Sequence, residues 1–181
     1  TRPRQWATGA EVSDVTFEQW LTLEGGLARL KYRMTFTGTA EHKPTHQELP
    51  AIFVMPRYDT LTFCEKGAPA WTGAPLVRRQ PGPPGAKDAI VKFAEPWAAW
   101  VDAEGQGLGV YFPHTDFATT YRVGNPGPDA IANCSYIAPL QTFALKPGLT
   151  FEYEVVLATG SVNQIRAIFS KLHRQREAAL K

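Results

Sequence analysis

The residues best suited to chemistry lie at the start of an apolar run, in the segment THQELPAIFV at positions 45–54. Side chains alternate between the two faces of an extended chain, so His46 and Glu48 should share one face and Gln47 the other. An imidazole beside a carboxylate can divide the roles of general acid and general base, or supply two ligands to a metal ion. A carboxylate at a sheet end can also simply accept structural hydrogen bonds. We predict His46 and Glu48 as catalytic candidates at the rim of a groove.

A third candidate, His114, follows another predicted strand and stands two residues before Asp116. Polar side chains in such a turn can point into the rim of a cleft. We therefore predict His114 as a catalytic residue and Asp116 as a ligand contact. With His46 and Glu48, His114 would complete a two-histidine, one-carboxylate set of metal ligands. Nothing in the spacing brings the three together, and we predict no metal and no cofactor.

Composition and motifs exclude several classes of function. The sequence has no GxSxG, P-loop, HExxH or helix-opening GxGxxG motif, which argues against common hydrolase and nucleotide chemistries. The net charge is only +2, so we predict no nucleic-acid partner. No apolar stretch approaches the roughly 20 residues needed to span a bilayer. Cys64 and Cys134 lack metal-site spacing and are predicted as buried thiols, although a disulfide stays open.

Short strands with tight connections must position these side chains. The segment 15–36 alternates apolar and polar residues on both sides of Gly25-Gly26, which predicts a β-hairpin, and a slip after Leu27 indicates a bulge. Residues 96–113 predict a second hairpin with its turn at 103–107.

The remaining segments extend this pattern. A strand is predicted over 49–55, with Pro50 near its start, where the missing N–H is tolerated. Further strands are predicted within 134–159, and a loop rich in glycine and proline is predicted over 124–129. Residues 66–88 hold many prolines and glycines and predict a long irregular segment. The total is about ten short strands with connections suited to antiparallel pairing.

The C-terminal region changes to a helical period. Ser161 stands three residues before Gln164 as a capping box. Apolar residues then recur at helical spacing, namely Val162, Ile165, Ile168, Phe169 and Leu172. We predict an all-β fold, an antiparallel β-sandwich over residues 1–160, followed by a C-terminal α-helix over 161–181 that packs on the sandwich or extends from it.

Five stretches carry a resemblance to a known family: HQELPAIFV, WTGAPL, WAAWVDAEGQGLGVYFP, SYIAPLQTFALKPG and YEVVLATGSVNQIRAIF. Together they resemble bacterial carbohydrate-active β-sandwich domains of the supersandwich, galactose-mutarotase-like type, over residues 15–170. The resemblance implies a carbohydrate ligand and favours a secreted or periplasmic location. The mutarotase catalytic pattern places two histidines and an acid on separate strands, whereas VYFPHTDF offers one histidine. The resemblance therefore assigns no reaction.

A carbohydrate site needs flat apolar faces for the C–H side of a pyranose and polar groups for its hydroxyls. Five tryptophans and six tyrosines supply many such faces, although the core of a β-sandwich also consumes aromatic residues. Trp71 either anchors its loop or exposes a stacking face. We predict Gln47, Trp71, Arg78, Trp100 and Asp116 as ligand contacts in a groove that binds or processes a glycan.

The alternative hypothesis is a non-catalytic structural or assembly module. The chain begins at Thr1 without methionine or a signal peptide, which indicates a processed or truncated product. In this hypothesis the sandwich and its helix dock onto a second copy of the chain, or onto an N-terminal domain that the sequence lacks.

Overall fold

A computed structural model describes residues 1–5, 7–124 and 133–181 of the chain. Within them the chain forms eleven β-strands and one α-helix, and every strand pair is antiparallel. The predicted antiparallel β-sandwich with a C-terminal helix is confirmed. The elements are β1 (Val15–Glu24), β2 (Leu27–Phe36), β3 (Thr45–Glu48), β4 (Ile52–Val54), β5 (Thr60–Glu65), β6 (Val77–Arg79), β7 (Ile90–Val101), β8 (Gln106–Tyr111), β9 (Phe117–Val123), β10 (Cys134–Phe143), β11 (Thr150–Ser161) and α1 (Val162–Ala179).

The strands follow one another across the sheet in the order β1–β2–β11–β8–β7–β9–β10–β3. Strand β4 also pairs with β10, and β5 pairs with both β6 and β7. The long strand β7 connects two regions, because its first residues pair with β9 and its last residues pair with β5 and β8. This topology brings β3, β9 and β10 together at one end of the curled sheet.

Three details differ from the sequence prediction. The register of β1 on β2 runs without interruption from Val15 to Glu24, so the bulge expected after Leu27 is absent. Residues 45–48 form their own strand on β10, because β10 is long enough to pair with both β3 and β4. The irregular segment 66–88 contains the short strand β6, which pairs with β5. Most of the loop predicted over 124–129 lies outside the described residues.

Side chains of β7 alternate between two apolar cores. Ala98 and Trp100 enter a core shared with β5, β9 and β10, whereas Trp97 and Ala99 enter a second core beneath α1. Trp100 is fully buried, so the side chain predicted as a ligand contact has no surface to offer a ligand. Its place follows from the alternation over residues 97–100, which sends Ala98 and Trp100 to the same side of the strand.

Helix α1 begins at a complete capping box. Ser161 is the N-cap, its side chain accepts a hydrogen bond from the backbone N–H of Gln164, and the Gln164 side chain accepts one from the Ser161 backbone. Ile165 and Phe169 are the fully buried residues of the helix. They pack close to Gly109 of β8, where an added Cβ would lie 2.3 Å from Ile165 Cγ2. A glycine on β8 thus allows the helix to approach the sheet.

A buried ion pair holds α1 and the 66–76 segment to β7. Glu95 is fully buried, and its Oε1 accepts hydrogen bonds from Arg166 Nη2 at 2.6 Å and from the Trp71 backbone N–H at 2.7 Å. Its Oε2 accepts from Trp97 Nε1 at 2.7 Å and from Arg166 Nε at 3.1 Å. Arg166 also donates to the carbonyl of Ala74 at 2.8 Å. The carboxylate is fully satisfied, as a buried charge must be.

Cys64 is buried and Cys134 is half-buried, and both are free thiols. Burial raises the pKa of each thiol above its ordinary value. Among the described residues, no helix combines the length and apolar character that a membrane crossing requires.

Candidate functional site

The pairing of β3 with β10 positions the residues that open the candidate site. His46 lies opposite Thr142, Gln47 opposite Gln141 and Glu48 opposite Leu140. Directly opposite residues of an antiparallel pair project to the same face. His46 and Glu48 therefore share one face of the sheet and Gln47 lies on the other, as the alternation of the sequence predicts.

His46 is exposed and is fixed by two neighbours. Its Nδ1 lies 2.7 Å from Thr142 Oγ1, and its ring meets that of Phe117 edge-to-face with the centroids 5.7 Å apart. Phe117 begins β9, so the imidazole connects three strands that are distant in sequence. Its Nε2 is the ring atom that these two contacts leave available.

Thr142 and Phe117 also line a groove of about 510 Å³, which we call the His114 groove. Polar and aromatic side chains share its walls. Its lining comprises His114, Thr115, Asp116, Phe117, Gln141, Thr142, Phe143, Ala144, Leu149 and Phe151. The groove thus unites two predicted site residues, His114 and Asp116, and its wall adjoins a third, His46.

Hydrogen bonds hold the polar wall of the His114 groove in place. The Gln141 side chain donates to the carbonyl of His114, and the Thr115 hydroxyl donates to the carbonyl of Leu140 at 2.6 Å. Asp116 Oδ2 forms an ion pair with Lys66 Nζ at 2.5 Å. Partial burial, and to a smaller degree the charge of Arg176, lowers the pKa of the His114 imidazole. The lowered pKa favours the neutral form of the imidazole, which can accept a proton.

Glu48 extends this site along β3. Its exposed carboxylate accepts a 2.6 Å hydrogen bond from the hydroxyl of Tyr136, which is buried. The Tyr136 ring stacks on Tyr121 with centroids 4.1 Å apart and meets the exposed Phe53 edge-to-face. Burial and the hydrogen bond to Glu48 raise the pKa of Tyr136, so its hydroxyl stays protonated and keeps donating.

The other predicted contacts lie elsewhere in the molecule. The Trp71 ring stacks on His173 of α1 with centroids 4.9 Å apart, and its backbone joins the Glu95 network. Arg78 lines a different groove at the start of α1. Gln47 is half-buried and donates to the hydroxyl of Thr45 at 2.7 Å. In the part of the chain that the structure describes, no three His, Cys, Asp or Glu side chains are grouped to hold a metal ion.

Sequence analysis missed the residues that β10 contributes. Gln141 and Thr142 supply polar groups to the groove, and Tyr136 anchors Glu48. All three lie within the stretch SYIAPLQTFALKPG, for which the sequence predicts strands and a family resemblance but no site residue. Strand pairing between β10 and residues 45–48, far apart in sequence, is what gives them a place in the site.

No family model matches the chain, and comparison with curated proteins gives no match. Solved structures are similar in fold. A protein of Escherichia coli K12, provisionally named an aldose 1-epimerase, is 14% identical with a TM-score of 0.52 over 90% of this chain and 64% of its own. A provisionally named aldose 1-epimerase of Klebsiella pneumoniae is 13% identical, with a TM-score of 0.50 over 96% of this chain and 53% of its own.

The chain thus spans less than two thirds of the length of these two proteins. Sequence identities of 13–14% show a similarity of fold and nothing more. The chain shares the β-sandwich fold of these two proteins, in agreement with the fold that the sequence resemblance implies.

Proposed function

We propose that this protein is a carbohydrate-active domain that binds or processes a glycan in the His114 groove and along the adjoining β3 rim. One observation carries the proposal. The groove combines aromatic walls at Phe117 and Phe151 with an imidazole, a carboxylate and an amide from His114, Asp116 and Gln141. A pyranose presents the matching surfaces, an apolar C–H side and a ring of hydroxyls.

The site is preorganised for such a ligand. Gln141 is oriented by the carbonyl of His114, Asp116 by Lys66, and His46 by Thr142. Groups that are already held lose less conformational entropy on binding. The volume of about 510 Å³ lies within the range of about 300–1,000 Å³ that is usual for small-molecule sites.

The same groups support acid–base chemistry. The neutral imidazole of His114 can take a proton from a sugar hydroxyl, and a carboxylate lies nearby in sequence at Asp116. The fold likeness to proteins provisionally named aldose 1-epimerases makes conversion of a sugar anomer the first reaction to assay. Polarimetry of freshly dissolved aldoses measures that reaction directly.

Replacing Asp116 by asparagine should weaken glycan binding about tenfold, because a charge-assisted hydrogen bond to a hydroxyl is lost. The free energy of unfolding should change by less than about 1 kcal/mol, since the ion pair with Lys66 is exposed. Isothermal titration with a glycan found by array screening measures the affinity. Thermal melts measure the stability.

The matched control is Asp88→Asn, which makes the same change at an exposed aspartate outside the groove. It should leave affinity unchanged. Glu48→Gln tests the β3 rim in the same titration and should weaken binding while sparing the fold, because an amide oxygen can still accept from Tyr136. The proposal fails if no mono-, oligo- or polysaccharide binds the wild-type protein and no sugar is converted.

A second candidate function, assembly through β1, rests on a separate observation. Strand β1 has ten residues, and among the strands that the structure describes it pairs with β2 alone. Trp20, Leu21 and Leu23 are 43%, 58% and 76% exposed. Phe17 exchanges both of its backbone hydrogen bonds with Thr1 on the outer side. Alternation therefore points the backbone groups of Leu21 and Leu23 outward as well.

A long, apolar edge strand is a ready template for another strand. Two copies of β1 can pair antiparallel about a two-fold axis near Thr22. This register sets Leu21 of one copy opposite Leu23 of the other and places no two carboxylates face to face. The side chain of Glu24 then lies opposite Trp20 of the other copy.

Leu21→Lys should convert such a dimer to a monomer, because lysine on an edge strand opposes pairing. Light scattering coupled to size exclusion measures the mass across a range of protein concentrations. One control is Thr16→Lys, at the end of β1 that the Thr1 contact covers. A second control is Thr60→Lys, on strand β5, which has neighbouring strands on both sides. Neither substitution should change the mass. A strictly monomeric wild-type protein rules out this candidate.

A further inference from the structure

A second groove lies where α1 begins, and we call it the Arg78 groove. Its volume is about 470 Å³. It shares no lining residue with the His114 groove, so it is a separate feature. Backbone and side chains of the 73–76 segment, of β6 and of the first helical turn form its walls.

The start of α1 contributes a backbone donor to this groove. The N–H of Val162 donates to the carbonyl of Gly105 at 3.1 Å, and that of Gln164 donates to Ser161 Oγ at 3.4 Å. Neither contact uses the N–H of Asn163, which belongs to a residue that lines the groove. First-turn amides have no partner within the helix, and the helix dipole favours negative charge at this end. With 18 residues, α1 is long enough for the effect.

Thr62 provides an independent observation that points to a ligand. Thr62 lines the groove and is only 1% exposed. Within the described residues, its hydroxyl oxygen Oγ1 has no hydrogen-bond partner. In the sheet register Thr62 lies opposite both Arg78 and Ala99. Ala99 faces the core beneath α1, so the Thr62 side chain also projects toward the helix side. A buried hydroxyl without a partner is costly, and a ligand atom would satisfy it.

Arg78 supplies the positive charge. It is exposed, and it forms no ion pair within the part of the chain that the structure describes. Its Nη1 lies beside Gly105, where an added Cβ would be 3.8 Å away. Arg166 also lines the groove, but Glu95 already neutralises its charge. Glu104 is the acidic residue of the lining, and its exposure lets water screen it.

We propose that the Arg78 groove binds a tetrahedral oxyanion, a phosphate or sulfate group, between the Arg78 guanidinium, the Asn163 N–H and the Thr62 hydroxyl. Three donors from three elements suit an anion with oxygens in several directions. The groove is larger than the anion itself, so it has room for a small phosphate or sulfate ester. The inference stands independently of a glycan in the His114 groove.

Inorganic phosphate, sulfate and glucose 6-phosphate are the probes, each titrated into the wild-type protein at constant ionic strength made up with chloride. Phosphate and sulfate should raise the melting temperature and bind measurably by calorimetry, whereas glucose should not act at this site. Glucose 6-phosphate binding tighter than phosphate would identify an ester as the ligand. Equal affinities would identify the free anion.

Arg78→Gln should weaken phosphate binding about tenfold or more, because a charge-assisted contact is lost. Thr62→Val keeps the shape of the side chain and should also weaken it, without lowering stability in the absence of phosphate. The control is Arg174→Gln, which removes the same charge from the far end of α1. The proposal is overturned if phosphate and sulfate do not bind the wild-type protein, or if Arg78→Gln and Arg174→Gln bind phosphate equally well.

Discussion

Replacing Glu95 by glutamine should lower the free energy of unfolding by about 3–5 kcal/mol, the usual cost of removing one partner from a buried ion pair. The side chain is fully buried and accepts four hydrogen bonds, two of them from Arg166. Glutamine would leave the Arg166 charge without its counterion. The glutamine N–H₂ group would also replace one accepting carboxylate oxygen, so that it would face N–H donors with which it cannot form a hydrogen bond. Urea unfolding followed by fluorescence measures the change.

Glu152→Gln is the matched control, since Glu152 also pairs with an arginine, Arg33, at 2.7 Å. The side chains of this pair are each 39% exposed. Water therefore screens the interaction, and its loss should cost no more than about 1 kcal/mol. Similar losses for Glu95→Gln and Glu152→Gln would contradict a stabilising role for the buried network.

The acid stability of the protein should depend on the same carboxylate. Burial acts to raise the pKa of Glu95, but hydrogen bonds from Arg166, Trp97 and the Trp71 backbone outweigh it, so the pKa lies below the ordinary value for glutamate. A group with a lowered pKa in the folded state binds fewer protons there than in the unfolded chain. Its contribution is complete above the ordinary glutamate pKa and is lost as the pH falls through the folded-state pKa. In Glu95→Gln this part of the acid transition should be missing.

The sequence predicts a strand where apolar and polar side chains, or large and small ones, alternate between its two faces within a short segment. The hairpin of β7 and β8 is an example, because alternation sorts Trp97 and Trp100 into separate cores. Strand β1 has an equally regular pattern, yet Leu21 and Leu23 are exposed. Alternation shows that two faces exist, but the neighbours that cover a face come from elsewhere in the chain. An edge strand has a neighbour on one side only, and no short window of sequence shows this.

The candidate site shows the same limit. The shared face of His46 and Glu48 follows from residues two apart, so sequence alone could predict it. The contacts of His46 with Thr142 and Phe117 depend on pairing across 96 residues and on the place of β9. The sequence does not reveal Glu95 as a buried carboxylate, because its partner Arg166 is 71 residues away. Its only local signal is a glutamate inside the apolar strand β7.

Phe169→Ala should be the other severe change, with a loss of about 3–5 kcal/mol in the free energy of unfolding. Phe169 is fully buried between α1 and the sheet. Its ring stacks on Tyr111 with centroids 5.6 Å apart and lies 6.0 Å from the Trp97 ring. Truncation leaves a cavity that Gly109, which has no side chain, cannot fill. Chemical unfolding again measures the loss.

The control is Phe53→Ala, the same truncation at a side chain that is 65% exposed, and it should cost less than about 1 kcal/mol. The two variants also separate the two grooves. Loosening α1 in Phe169→Ala disturbs the first helical turn, so phosphate affinity should fall while glycan affinity in the His114 groove is kept. Phe53 does not line the Arg78 groove, so Phe53→Ala should leave phosphate affinity unchanged. A helix packed on the sheet should lose stability when its largest buried side chain is truncated. If Phe169→Ala and Phe53→Ala unfold at the same denaturant concentration, α1 therefore does not stabilise the sandwich through the Phe169 ring.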